Sequence, residues 1–315
     1  MDTKSLSIAV AAGVASVLAV YSALFAGAAA IPLLALAALP IYISALAWGT
    51  FAGAAASVTA IVASAFIISP QAAIIIGLGL TIPASIIGHQ ANLAQEDENG
   101  KLEWYPLSQI LFNFALILAL AILTIGYVLD YESFLHLPDL QAAVEEYFKR
   151  FPPPTPLGEE QLAQFVQSLF RTLPFMLASF WLIVHVVNLQ IAALICRASG
   201  IMPRPKDDIA ATVTMPKAGL PVLGACIVGI FLFPGLLHWV AIVFCGTFLT
   251  AYALVGLATN HLRARLNPVS LVFLIVCYVL IALFYIPLFL FAIGGILRSI
   301  SNSTTSPPNA GTSHS

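Results

Sequence analysis

Charge is what this sequence has least of. Only 8% of its 315 residues are Asp, Glu, Lys or Arg, against about a quarter in a typical soluble domain. From Ser5 to Gln95, 91 consecutive positions, there is none. No soluble core runs that far without a charged surface, so an ordinary cytosolic enzyme is excluded. Twelve basic and fourteen acidic residues nearly cancel. That leaves no field to attract a nucleic acid, and a nucleic-acid partner is excluded with it. Cysteine is scarce: Cys196, Cys226, Cys245 and Cys277 stand alone, with no C-x-x-C pair. A secreted disulfide scaffold is therefore excluded, no metal set is visible, and the four read as small buried apolar side chains. Enzyme signatures are missing too. There is no G-x-S-x-G, H-E-x-x-H, P-loop or dinucleotide fingerprint. The sequence thus assigns no catalytic, cofactor-binding or metal residue and reads as a non-enzyme without a cofactor.

What is there is apolar. Hydrophobic residues make up 60% of the chain and the mean hydropathy is +0.99. The fold class is all-α, a polytopic transmembrane helical bundle. A helix needs about twenty apolar residues to cross a bilayer, so the charge-free run holds roughly four crossings. Lys4 followed by Ala-rich apolar sequence imitates a signal peptide, but the apolar stretch continues past any cleavage point and reads as a retained first span. Gly27 to Pro32 ends that span, Trp48-Gly49 separates the second from the third, and Ser69-Pro70-Gln71 separates the third from the fourth. Glu96 to Glu103 is a polar loop, and Trp104-Tyr105-Pro106 marks an interface. A fifth span covers 107–129 and a sixth 159–197, whose first turns lie outside the hydrocarbon. Spans seven and eight, 218–233 and 237–259, are joined at Phe233-Pro234-Gly235. A ninth covers 269–297 with a kink at Pro287. The count is about nine spans, or eight if one N-terminal break is not a break. Residues 1–298 form one multi-span domain, and the Ser/Thr/Pro-rich 299–315 reads as a disordered tail.

Lys and Arg in the loops set orientation. With nine spans, Lys4, Lys101, Arg197, Arg204, Lys206, Lys217, Arg263 and Arg265 fall on one side. Lys149, Arg150, Arg171 and Arg298 fall on the other. This predicts a cytoplasmic N-terminus and an outside C-terminus. The basic loop residues, and His261 with Arg263 and Arg265, read either as topogenic charge or as contacts to lipid phosphate. The 130–160 region is extracytoplasmic. Within it, Leu140, Val144, Tyr147, Phe148 and Phe151 form one apolar stripe of an amphipathic helix over 139–151, on the membrane surface or over the bundle. Pro152-Pro153-Pro154 and Pro156 then act as a stiff spacer.

Neither Asp nor Glu occurs inside any expected span, which argues against a proton relay or an acidic cation site. The neutral polar groups at membrane depth are the candidate cluster: His89, Asn113, His185, Asn188 and Gln190, with Gln90 and Asn92 nearby. His185 and Asn188, three apart, share a helix face. They read as lining a polar cavity between spans four to six, or as hydrogen bonds between helices. His238, beside Trp239 at a turn, reads as interfacial. Ala45, Gly49, Gly53 and Ser57 recur every four residues, a spacing that lets helix backbones approach within the bundle or at a homodimer seam.

Several stretches carry a resemblance: Ala47-Trp48-Gly49-Thr50-Phe51-Ala52-Gly53, then Ile82-Pro83-Ala84 with Gly88, Trp104-Tyr105-Pro106-Leu107, Asn188-Leu189-Gln190, Arg197-Ala198-Ser199-Gly200, Arg204-Pro205 and Met215-Pro216. In that order they resemble the YybS-like family of bacterial integral membrane proteins, in its proteobacterial branch. The resemblance implies a multi-pass protein of the bacterial inner membrane. It also implies a distant similarity to the substrate-binding S components of energy-coupling-factor transporters, and with it a small solute between helices and an ATPase partner. No vitamin-binding residue maps across. Two functions follow as expectations: a transport-related solute-binding protein, or a non-catalytic scaffold of the cell envelope. The lipid bilayer is the partner common to both.

Overall fold

The computed structural model describes residues 2–130, 137–151, 158–283 and 286–305. The charge-free run forms α1 (Thr3–Ala23), α2 (Ala30–Leu36), α3 (Leu39–Trp48), α4 (Thr50–Ile67), α5 (Pro70–Ile76) and α6 (Ile82–Ala91). After it come α7 (Leu107–Val128), α8 (Leu137–Arg150), α9 (Glu159–Ala198) and the short α10 (Ile209–Thr212). The chain closes with α11 (Gly219–Leu232), α12 (Leu236–Leu266), α13 (Pro268–Leu283) and α14 (Ile286–Thr305). Seven segments are long and apolar enough to cross a bilayer: α1, α2–α3, α4, α5–α6, α7, α9 and α12. Helices α11, α13 and α14 are apolar but hold shorter apolar stretches. The protein is an all-α helical bundle of the membrane class.

Local chemistry sets the boundaries. Asp2 caps α1 by accepting the Ser5 N–H at 3.0 Å, the usual role of a carboxylate at a helix start. Gly49 joins α3 to α4 at φ +86°, with nothing near where a Cβ would stand, so backbone conformation requires the glycine. Ser69 caps α5 through the Ala72 N–H, with Pro70 at the first helical position. The second span is two helices because Pro40 has no N–H and its ring crowds the carbonyl four residues back. The expected polar loop closes as a hairpin, with β1 (Ala94–Glu96) antiparallel to β2 (Leu102–Trp104). The Asp97 carboxylate accepts the Asn99 and Lys101 N–H groups. Asn99-Gly100 is the sequence signal for such a turn.

Helix α12 is the centre of the bundle. In its most apolar window 78% is buried, against 22% for α1. It packs on α7, α9, α11 and α14. The expected ninth span is two helices here, α13 and α14. Pro287 takes the second position of α14, where a missing N–H costs no hydrogen bond. Gly256 of α12 lies against Phe291 and Gly295 of α14, and Thr259 accepts from Arg298. The order of these contacts makes α14 parallel to α12. Arg298 then donates to the Ala210 and Ala211 carbonyls at 2.8 and 2.7 Å, in the connection that follows α9. This corrects the single-span reading of 269–297, which put Arg298 at the opposite end. It turns eight basic residues against four into nine against three. Helix also continues through Ser299, which accepts the Met215 N–H, to Thr305. Ser299–Thr305 is therefore not part of a disordered tail, and 306–315 lie outside the described residues.

Asn92 donates to the Ala45 and Leu46 carbonyls, and Arg204 to those of Ala91 and Tyr105. The ends of α3, α6 and α9 and the start of α7 therefore meet at this same basic end. Reporter fusions after Lys101, Arg204 and Ser299 are expected to read on one side of the membrane, and a fusion after Arg150 on the other. A C-terminal fusion reading with Arg150 would refute the parallel packing of α14 on α12.

The amphipathic helix occupies Leu137–Arg150. Phe148 packs on Phe165 of α9, ring centroids 5.8 Å apart, while Tyr147 and Phe151 stay more than half exposed. The stripe thus leans partly on the bundle. The side chain of Leu140 and the prolines 152–154 and 156 lie outside the described residues.

Candidate functional site

The five residues of the candidate cluster separate into two groups. At mid-depth, α9 faces two irregular stretches of backbone. Pro83 offers no N–H to Gly79, and the chain winds through a π-helical turn over Gly77–Thr81. The Gly79 carbonyl accepts Trp181 Nε1 at 2.6 Å and pairs with His185 Nε2 at 2.9 Å. A carbonyl only accepts, so Nε2 carries the imidazole proton. Nδ1 then accepts the Tyr42 hydroxyl at 2.9 Å. Asn188 Nδ2 donates to the carbonyl of Ala35, in the last turn of α2 before its break from α3, at 2.6 Å and to that of Val184 at 2.8 Å. Ser16 supplies Ala37 and Ser57 supplies Thr81. Irregular backbone survives at membrane depth only where protein satisfies it, and these side chains do so. His185 and Tyr42 are fully buried, and none of this group lines the crevice or the cleft described below.

The other group lies toward the basic end. His89 Nδ1 pairs with the Thr50 hydroxyl at 2.6 Å. Asn113 donates to Gln90 and Tyr105 and accepts from Gln109. Gln190 borders a narrow crevice beside Arg197, Arg204 and Asp207. The structure thus pairs His185 with Asn188 at mid-depth and keeps His89, Asn113 and Gln190 apart from them. The small residues are split as well. Gly49 is the turn between two helices, so Ala45, Gly49, Gly53 and Ser57 cannot form a stripe on one. Ala45 of α3 instead receives Gly53 of α4 and Gly88 of α6 at contact distance.

Removing the Trp181 donor tests the role of Pro83. Trp181→Phe is expected to cost about 1 kcal/mol, the scale of a hydrogen bond between membrane helices. Pro83→Ala restores an amide at position 83, so Trp181→Phe in that background is expected to cost less, a coupling of about 0.5 kcal/mol or more. Unfolding in mixed micelles measures both, and additive costs would reject the account.

At the basic end, Arg204 is 4% exposed. Its guanidinium holds the Asp207 carboxylate by two hydrogen bonds, at 2.7 and 3.2 Å, and lies 5.9 Å from the Trp104 ring centroid. Arg265 holds Asp208 in the same forked way at the surface and keeps that carboxyl below its usual 3.8. These two arginines are bound internally, so topogenic charge and internal clamping account for them without lipid phosphate.

A more open site lies elsewhere. A cleft of about 420 Å³ opens at the end away from the basic loops, between α7, α9 and α12. Gly126, Tyr127 and Asp130 close one side, Phe170, Arg171 and Pro174 the second, and Leu236, His238, Trp239 and Ile242 the third. The Trp239 ring lies flush on Gly126, where any Cβ would overlap it. His238 Nδ1 pairs with the Ile230 carbonyl at 2.9 Å, which leaves Nε2 as its other polar atom. Apolar and aromatic walls with a few polar groups are the usual make-up of a small-molecule site. The sequence puts His238 and Trp239 at an interface but shows nothing that joins His238 to Arg171, 67 positions earlier. Among the described residues, no three His, Cys, Asp or Glu side chains gather as metal ligands.

No protein-family model, curated protein or solved structure matches this chain. The site therefore rests on its geometry.

Proposed function

We propose that this chain is a multi-pass protein of the bacterial inner membrane that binds a small amphipathic solute between its helices, in a transport-related role and without catalysis. The observation that carries the reading is the cleft between α7, α9 and α12. It has the volume and the mixed lining of a small-molecule site. The resemblance to the YybS-like family, and through it to S components, supports the same role, and an ATPase module is the corresponding partner. Nine of the twelve Lys and Arg residues lie at one end, which supports a cytoplasmic location for that end, for the N-terminus and for Arg298 of α14. The alternative, a scaffold of the cell envelope, is favoured by the exposed Tyr147 on α8 and Phe151 just after it.

Native mass spectrometry of the gently solubilised protein separates the two. A bound small molecule is expected on the wild type and not on Leu236→Trp. Leu236 is 64% exposed at the cleft, so an indole there fills space without disturbing the core. A wild type that carries no small molecule, but cross-links to one protein through α8, would overturn the solute-binding reading.

A further inference from the structure

The chemistry of the solute follows from where the cleft sits and from what lines it, given that it binds a solute at all. Arg171 and Arg197 lie on the same helix, α9. Their axial separation is ~39 Å at ~1.5 Å per residue, and a bilayer with its headgroups is ~40–45 Å thick. With Arg197 at the basic interface, Arg171 stands at the headgroup level of the opposite leaflet. Tyr127 and Trp239 line the cleft beside it, and such rings settle at that depth. Leu236 and Ile242 continue the wall as apolar surface.

Among the described residues, the Arg171 guanidinium has no hydrogen-bond or ion-pair partner. Lys149 and Arg150, also at this end, do not line the cleft. A guanidinium fork suits the oxygens of a phosphate. Asp130 lines the same cleft. The cleft sets Arg171 beside the apolar wall of Leu236 and Ile242, so a phosphate that carries hydrocarbon fits it better than a bare anion does. We infer that the cleft takes the phosphate-bearing head of an amphiphile, with Arg171 on the phosphate and the hydrocarbon along Leu236 and Ile242.

Binding to the purified full-length chain in a neutral maltoside tests this by calorimetry. The probes are dihexanoyl phosphatidylethanolamine, dihexanoylglycerol and inorganic phosphate. The phospholipid is expected to bind, and the other two at least tenfold more weakly. Arg171→Gln is expected to weaken the phospholipid about tenfold, Lys149→Gln to leave it unchanged, and Leu236→Trp to abolish it, all three eluting as the wild type does. If Leu236→Trp blocks binding but Arg171→Gln changes nothing, or dihexanoylglycerol binds equally, the phosphate inference is overturned and the cleft remains a solute site. Inorganic phosphate binding as tightly as the phospholipid would overturn the amphiphile and leave an anion site. Phospholipid binding untouched by Leu236→Trp would overturn the cleft itself.

Discussion

Gly256→Leu is expected to abolish the folded protein. At this position α12 and α14 touch backbone to backbone. A Cβ on Gly256 would overlap the Phe291 carbonyl, and one on Gly295 would overlap the Tyr252 carbonyl. Neither obstacle is the flexible end of a side chain, so relief requires the two helices to separate. Separation would expose the long contact seam of α12, the most buried helix of the bundle, and would draw Arg298 away from Thr259, Ala210 and Ala211. Ordinary overpacking costs about 1–3 kcal/mol because side chains adjust. Without that adjustment the cost is expected to exceed about 4 kcal/mol. Gly224→Leu is the control. It lies on α11 with nothing within 4 Å of its would-be Cβ and is expected to elute and unfold as the wild type does. Size-exclusion profiles and thermal midpoints of the two variants compare them directly. A monodisperse Gly256→Leu protein would show that α12 and α14 are not in backbone contact.

Arg204→Ala is expected to be nearly as damaging, by an electrostatic route. The guanidinium joins the Asp207 carboxylate, the Ala91 carbonyl closing α6 and the Tyr105 carbonyl opening α7. It thereby ties the connection after α9 to the hairpin and to two membrane segments. Truncation leaves a largely buried carboxylate and two carbonyls without their donor. Breaking one side of a buried pair costs about 3–5 kcal/mol. Arg204→Lys keeps the charge but lacks the planar fork and is expected to recover less than half of the loss. The double variant Arg204→Leu with Asp207→Leu is expected to be more stable than Arg204→Ala, since no charge is then left without a partner. Chemical unfolding of the four proteins in one detergent measures this ordering. An Arg204→Ala protein as stable as the wild type would assign Arg204 to topology alone.

Much of the bundle is legible in the sequence because the bilayer imposes it. The 91-residue run without charge resolves into α1 to α6, and the breaks at Gly49 and Ser69-Pro70 fall where the helices end. Backbone chemistry at a glycine or proline is local, so a single sequence displays it. The ninth segment was less legible, since proline marks an interruption without saying whether the chain continues or turns back. Only the meeting of Gly256 with Gly295, and of Arg298 with the Ala210 carbonyl, gives the direction of α14.

The candidate site divides in the same way. Sequence picks out His185 and Asn188 because polar groups at membrane depth are costly. It does not supply their partners, which are the Gly79 and Ala35 carbonyls, 106 and 153 positions away. Pro83 is the one local clue to the first of these. The sequence alone determined the membrane class, the helical architecture and the places where helices must break, because hydrophobic thickness and backbone valence act on neighbouring residues. The tertiary structure alone decided that the mid-depth polar groups brace broken helices, that Arg298 of α14 lies at the basic end, and that Arg171 borders the cleft with Trp239. Those outcomes depend on which helix lies beside which, and helix packing joins residues far apart in the chain.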